Sequence, residues 1–138
     1  MNLTELVKSV KKHEGLSLLP YEDTEGFITI GFGTNIDAGI SLEQANALLN
    51  IQLESLRKEL DKRIPDWSNH SDARQNVVLE MAYNLGIPRL LKFKKMLANL
   101  EKRDYNHAAL EMLNSRWREQ VKDRAITLAN QMQSGEFS

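Results

Sequence analysis

Two changes of hydrophobic period divide this chain, at about residues 15 and 41, and they limit its possible folds more than any other feature. Up to Glu14 the spacing is helical: Leu3, Leu6, Val7 and Val10 recur at intervals of three and four. Asn2 with Glu5 three positions on makes an N-terminal cap, and Gly15 is a suitable stop. At 100° per residue Glu14 falls about 20° from Leu3 around the helix axis, which puts a carboxylate on the apolar face at the helix end. Residues 16–37 change character. Ser17-Leu-Leu-Pro-Tyr21 and Phe27-Ile-Thr-Ile30 are rich in strand formers, and Asp23-Thr-Glu-Gly26 between them has turn composition, so a β-hairpin is expected. Pro20 assigns the first strand to an edge. Gly31, Gly33, Asn35 and Gly39 leave room for a short third strand and a loop.

From Ser41 the spacing is helical almost to the end. Ser41 and Gln44 have capping-box spacing, and Leu42, Ala45, Leu48, Leu49, Gln52, Leu53, Leu56 and Leu60 trace one face until Pro65. Ser71 caps a second helix that closes at Gly86. Leu90, Leu91, Met96, Leu97 and Leu100 suggest a third, Asp104 opens a fourth, and Ser115 precedes one last helical stretch. The pattern predicts an α+β, mainly α fold in one domain over residues 1–138. A small β-containing lobe (about 14–40) and a larger helical lobe (about 1–13 and 41–138) are joined by the long Ser41 helix, with the first helix packed on the helical lobe.

At 138 residues the chain can bury one substantial core. It has no cysteine, so disulfides and thiolate metal sites are excluded, and His13, His70 and His107 form no metal-ligand pattern. There is no glycine-rich phosphate loop, and no cofactor or metal is expected. A net charge of −1 argues against a nucleic-acid partner. No apolar run is long enough to span a membrane, and no secretory signal precedes the first helix, so synthesis and folding in the cytoplasm are expected. Charge is unevenly spread: residues 1–40 hold three Lys against six Asp/Glu, or −3, and residues 41–138 hold fifteen Lys/Arg against thirteen Asp/Glu, or +2.

The chemistry concentrates in Glu14-Gly-Leu-Ser-Leu-Leu-Pro-Tyr-Glu-Asp23-Thr-Glu-Gly-Phe-Ile-Thr29-Ile-Gly-Phe-Gly33. Cleavage of a glycosidic bond needs one acid to protonate the leaving oxygen and a second carboxylate across the sugar. Such an acid must keep its proton near neutral pH, which apolar surroundings favour. Glu14 on an apolar face fits the first role. Asp23 in a polar turn fits the second, as a base that activates water, and Thr29 on the returning strand is within reach of Asp23 once the hairpin forms. Glu22 and Glu25 read as solvated hairpin residues.

This run resembles the active-site segment of the T-even phage lysozymes, with Glu, Asp and Thr in matching register. A second resemblance runs from Asp72-Ala-Arg74 through Met81-Ala-Tyr-Asn-Leu-Gly86 to Ser115-Arg-Trp117 and Arg124-Ala125. It implies a lysozyme-like fold with the active-site cleft between the lobes. It also implies an inverting muramidase with Glu14 as acid, Asp23 as base and Thr29 positioning water. Asn35, Tyr83 and Asn84 would line the sugar cleft, and Arg124 would orient Glu14. Met96 and Glu111 replace small or amide residues of the family, so sugar contact there is not expected, and Trp117 and Trp67 read as structural. Departures are a much shorter section after Asn35, and Thr34 where the T-even lysozyme has a histidine. The implied partner is the peptidoglycan glycan strand, met by a monomeric endolysin held in the host cytoplasm until a phage-encoded pore releases it. A lytic transglycosylase, which needs only the acid, and a non-catalytic wall-binding module stay open as alternatives. The basic cluster Arg89, Lys92, Lys94 and Lys95 reads most simply as a solvated face, with attraction of anionic wall polymer as a second reading.

Overall fold

Local capping chemistry sets most of the element boundaries in the computed structural model, which describes all 138 residues. Helix α1 (Leu3–Glu14) starts where Asn2 Oδ1 accepts from Glu5 N at 3.1 Å. It ends at Gly15, whose φ of +72° turns the chain out of the helix. Strands β1 (Ser17–Glu22), β2 (Ile28–Gly31) and β3 (Thr34–Asn35) form an antiparallel sheet in the order β1-β2-β3. The β1 strand is an edge, as Pro20 requires, and the register shifts between Ser17 and Tyr21. Helix α2 (Leu42–Arg63) opens with the expected reciprocal capping box: Ser41 N donates to Gln44 Oε1 at 2.9 Å, and Gln44 N donates to Ser41 Oγ at 3.1 Å.

After a 3-10 turn (Pro65–Asn69) the remaining helices are α3 (Asp72–Leu85), α4 (Ile87–Leu90), α5 (Lys94–Glu101), α6 (Tyr105–Leu113), α7 (Arg116–Val121) and α8 (Asp123–Ser134). Ser71, Asp104 and Ser115 cap α3, α6 and α7 through the backbone N–H of Arg74, His107 and Arg118. The architecture is mainly α with one small sheet, as the periodicity predicts.

Two stretches differ from that expectation. The apolar run Leu90–Leu100 is two helices, because Phe93 adopts a non-helical backbone and meets Trp117 edge-on, with ring centroids 6.2 Å apart. The final stretch is likewise two helices, split at Lys122 with φ +53°.

The chain divides into two compact units, Met1–Ala47 and Leu48–Ser138. The second holds the main apolar core, in which Leu60, Val77, Met81, Leu90, Met96, Leu100, Met112 and Met132 are buried to within 1 %. Trp117 and Trp67 are buried with them, and each indole N–H is satisfied: Trp117 Nε1 by Asn84 Oδ1 at 2.8 Å, Trp67 Nε1 by Asp61 Oδ1 at 2.7 Å. A polar network edges this core. The buried His70 meets Tyr105 Oη at 3.0 Å through Nδ1 and lies 3.5 Å from Asp66 Oδ2 through Nε2. Arg103 pairs with Asp66. The Arg74 guanidinium stacks 3.4 Å from the Tyr105 ring centre and donates to the carbonyls of Met132 and Gln133.

Candidate active site

The first unit assembles its candidate catalytic residues from one helix end and one hairpin. Glu14 is the last residue of α1, and its exposed side chain turns toward the β2–β3 connection. There its carboxyl group lies against Gly33, so closely that a β-carbon on that residue would stand 2.7 Å from Glu14 Oε2. Gly33 also has φ +86°, a conformation that side-chain-bearing residues rarely adopt. One turn back along α1, Lys11 Nζ sits 5.2 Å from the centre of the Phe32 ring. Two neighbouring residues of the connection thus fasten the helix end that carries Glu14.

Asp23 shapes the hairpin turn. Its Oδ1 accepts from Glu25 N at 2.9 Å and from Phe27 N at 2.8 Å, an Asx arrangement that closes the loop. Its backbone N–H donates to Phe27 O at 2.8 Å, and its carbonyl accepts from Gly26 N at 3.1 Å. Turn-forming therefore occupies one carboxylate oxygen and leaves Oδ2 without a protein donor, so one residue can serve both structure and chemistry. Thr29 is 4 % exposed in the central strand, paired in register with Tyr21 on one side and Asn35 on the other. Its hydroxyl donates to Phe27 O at 3.2 Å, which leaves the oxygen lone pairs as acceptors. Asn35 Oδ1 accepts from Ala38 N at 3.3 Å and steadies the following turn.

Asp37 was not singled out by the sequence. Its Oδ2 accepts from Ile28 N at 2.9 Å, while Ile36 N donates to Ile28 O at 2.7 Å, so the loop after β3 braces the strand that carries Thr29. Glu22 and Glu25 are exposed, as expected.

The remaining candidates lie in the second unit. Tyr83 is exposed near the end of α3, and Asn84 beside it commits its side-chain oxygen to Trp117. Arg124, near the start of α8, donates from Nε to Glu80 Oε2 at 2.8 Å. Glu80 is a partner that the sequence does not mark, because it lies a full 44 residues away along the chain. Met96 is buried in the core, in keeping with a packing role.

A family model described as phage lysozyme matches residues 11–133. Among curated proteins, the chain is 26 % identical to the pre-baseplate central spike protein Gp5 of Enterobacteria phage T4, over 87 % of this chain and 26 % of that one. It is 26 % identical to probable T4-type lysozyme 1 of Dictyostelium discoideum, over 91 % of this chain and 92 % of that protein. With probable T4-type lysozyme 2 of the same organism the identity is 25 %, over 96 % of each chain. The chain thus spans about a quarter of the spike protein and nearly all of either amoebal protein.

Proposed function

The chain belongs to the phage lysozyme family, and from that premise we propose that it is a muramidase hydrolysing the β-1,4 bond between N-acetylmuramic acid and N-acetylglucosamine in bacterial peptidoglycan. The observation that carries this reading is the first unit's pair of carboxyl groups in different settings. Glu14 is pressed on Gly33 at a helix end, and Asp23 is held by two backbone N–H groups in a turn. In this reading Glu14 protonates the glycosidic oxygen as the bond to the anomeric carbon breaks. Asp23 takes a proton from the attacking water, Thr29 accepts a hydrogen bond from that water, and the product carries inverted configuration. Two placed carboxylates of unequal task are what separate this reaction from one that needs an acid alone.

The same reading keeps residues 1–138 as one lysozyme domain, monomeric, with Asn35, Tyr83 and Asn84 toward the sugars and Arg124 orienting Glu14. For Arg124 the expected signature is a fall in kcat at unchanged KM in Arg124→Ala. No helix is long and apolar enough to cross a membrane. An endolysin role in host-cell lysis, with release from the host cytoplasm through a phage-encoded pore, completes the proposal.

The test is turbidity loss of outer-membrane-permeabilised bacteria, with mass analysis of the released sugars. The parent should clear the suspension and leave reducing muramic ends that carry one added water. Glu14→Gln should fold normally and lose activity by roughly 10²-fold or more. Activity of Glu14→Gln within tenfold of the parent would remove Glu14 from its role. Mainly 1,6-anhydro ends would move the enzyme to the transglycosylases.

A further inference from the structure

Asp23 and Asp37 hold the start of β2 from its two edges, and both do it by the same device. An antiparallel ladder joins two residues by exchanging both of their N–H···O=C bonds. On the β1 side Asp23 N donates to Phe27 O at 2.8 Å, but the reciprocal carbonyl, Asp23 O, is taken by Gly26 N at 3.1 Å. Asp23 Oδ1 accepts from Phe27 N in its place, at 2.8 Å. On the β3 side Ile36 N donates to Ile28 O at 2.7 Å, and the reciprocal carbonyl, Ile36 O, is taken by Gly39 N at 2.8 Å as the chain turns away. Here Asp37 Oδ2 accepts from Ile28 N instead, at 2.9 Å. All four main-chain polar groups of Phe27 and Ile28 are thus engaged, those of Phe27 by Asp23 and those of Ile28 by Ile36 and Asp37.

Thr29 comes next along the strand, and its hydroxyl donates back to Phe27 O at 3.2 Å, so the held pair also sets the direction of the hydroxyl. Thr29 is the one buried residue of Met1–Ala47. Packed side chains within this unit therefore do little to fix the strand, and main-chain hydrogen bonds decide where Thr29 lies. Asp23 supplies them on one edge while serving as the proposed base. On the other edge Asp37 supplies the acceptor that the turning backbone withdraws. We propose that Asp37 is a positioning residue for glycoside hydrolysis, holding Thr29 where its hydroxyl meets the attacking water. The role rests on the muramidase reading; the brace itself does not.

The test measures kcat and KM of the full chain on soluble, uncrosslinked peptidoglycan strands, with amide hydrogen exchange on the same preparations. Asp37 is exposed, so Asp37→Ala should fold, and its Ile28 N–H should exchange about tenfold or more faster than the parent's. Its kcat should fall about tenfold or more at a KM within about twofold of the parent's, the mark of a displaced group and not of lost binding. Asp37→Asn keeps an oxygen for Ile28 N and should bring both readouts back to within about threefold of the parent. Asp37→Glu keeps the charge but carries its oxygens one methylene further. It should fall with Asp37→Ala, and it decides in that variant's stead if Asp37→Ala does not fold. In a Thr29→Val background, which already lacks the hydroxyl, Asp37→Ala should cost less than about twofold in kcat. Loss of structure alone would slow both backgrounds alike. The proposal is overturned if Asp37→Ala or Asp37→Glu keeps the parent's kcat, if Ile28 exchange in Asp37→Ala is unchanged, or if Asp37→Asn is as slow as Asp37→Ala. An equal loss with and without the Thr29 hydroxyl overturns it too. A parent that cleaves no strand sinks the muramidase reading, and this role with it; an active parent with an unimpaired Asp37→Ala sinks this role alone.

Discussion

The Glu14 carboxyl group and Gly33 are in such close contact that no side chain fits between them: a β-carbon on Gly33 would lie 2.7 Å from Oε2 and 3.2 Å from Cδ of Glu14. The glycine therefore does two things at once. It supplies the positive φ that turns β2 into β3, and it shapes the floor on which the catalytic candidate rests. Gly33→Ala should strain the backbone by about 1–3 kcal/mol. It should also push the carboxyl group off its position, lowering kcat by about tenfold or more at nearly constant KM. Urea unfolding and wall-lysis kinetics on one preparation check both effects. A variant with lowered stability and full kcat would show that the contact does not place the acid.

Asp23 offers a cleaner separation of structure from chemistry. An asparagine keeps an oxygen able to accept from Glu25 N and Phe27 N, so Asp23→Asn should retain the hairpin while losing the negative charge. Its lytic activity should fall about 10²-fold or more with little change in melting temperature. Asp23→Ala should lose both. Equal activity in Asp23→Asn and the parent would reduce Asp23 to a turn former.

Asn84 reads as a sugar-binding candidate in the sequence, and the structure gives its side chain a definite partner in the core. Removing Oδ1 by Asn84→Ala leaves the N–H of the buried Trp117 unsatisfied, and an unsatisfied buried donor costs about 1–3 kcal/mol. Denaturant unfolding should show that loss. An unchanged midpoint alongside a raised KM would instead assign Asn84 to substrate.

What the sequence made readable here was local. Asn2, Ser41 with Gln44, Ser71, Asp104 and Ser115 each announce a helix start through a hydrogen bond spanning three residues, and each makes it. Asp23 closes its turn through residues two and four positions on, which is why the hairpin could be placed from composition. The breaks at Phe93 and Lys122 carry neither glycine nor proline. The first follows from packing on Trp117, and the second is a left-handed residue with no local mark. In the same way, Glu14 stands out by its place on the helix, while its contact with Gly33 and the pairing of Arg124 with Glu80 exist only once the chain is folded.

The polar edge of the core yields a prediction about pH. Burial, first, and then the neighbouring Arg103 and Arg74 hold the pKa of His70 below its ordinary 6.5, with Asp66 opposing them. The imidazole is therefore neutral in the fold at a pH where the unfolded chain would protonate it. A depressed folded pKa stabilises fully above the unfolded value, and that contribution is lost as pH falls through 6.5 toward the folded value. Asp66 acts lower on the scale: hydrogen bonds from Arg103 and Asn69 bring its pKa from 3.8 to about 2, so its contribution is lost between those two values. The melting temperature should thus decline in two stages, the first setting in as pH falls through 6.5 and the second as it falls through 3.8. His70→Gln keeps a polar partner for Tyr105 but cannot titrate, and it should flatten the first stage while leaving the second. A parent whose melting temperature is level across the first stage, or a His70→Gln variant that declines there as steeply as the parent, would show that His70 does not couple folding to pH.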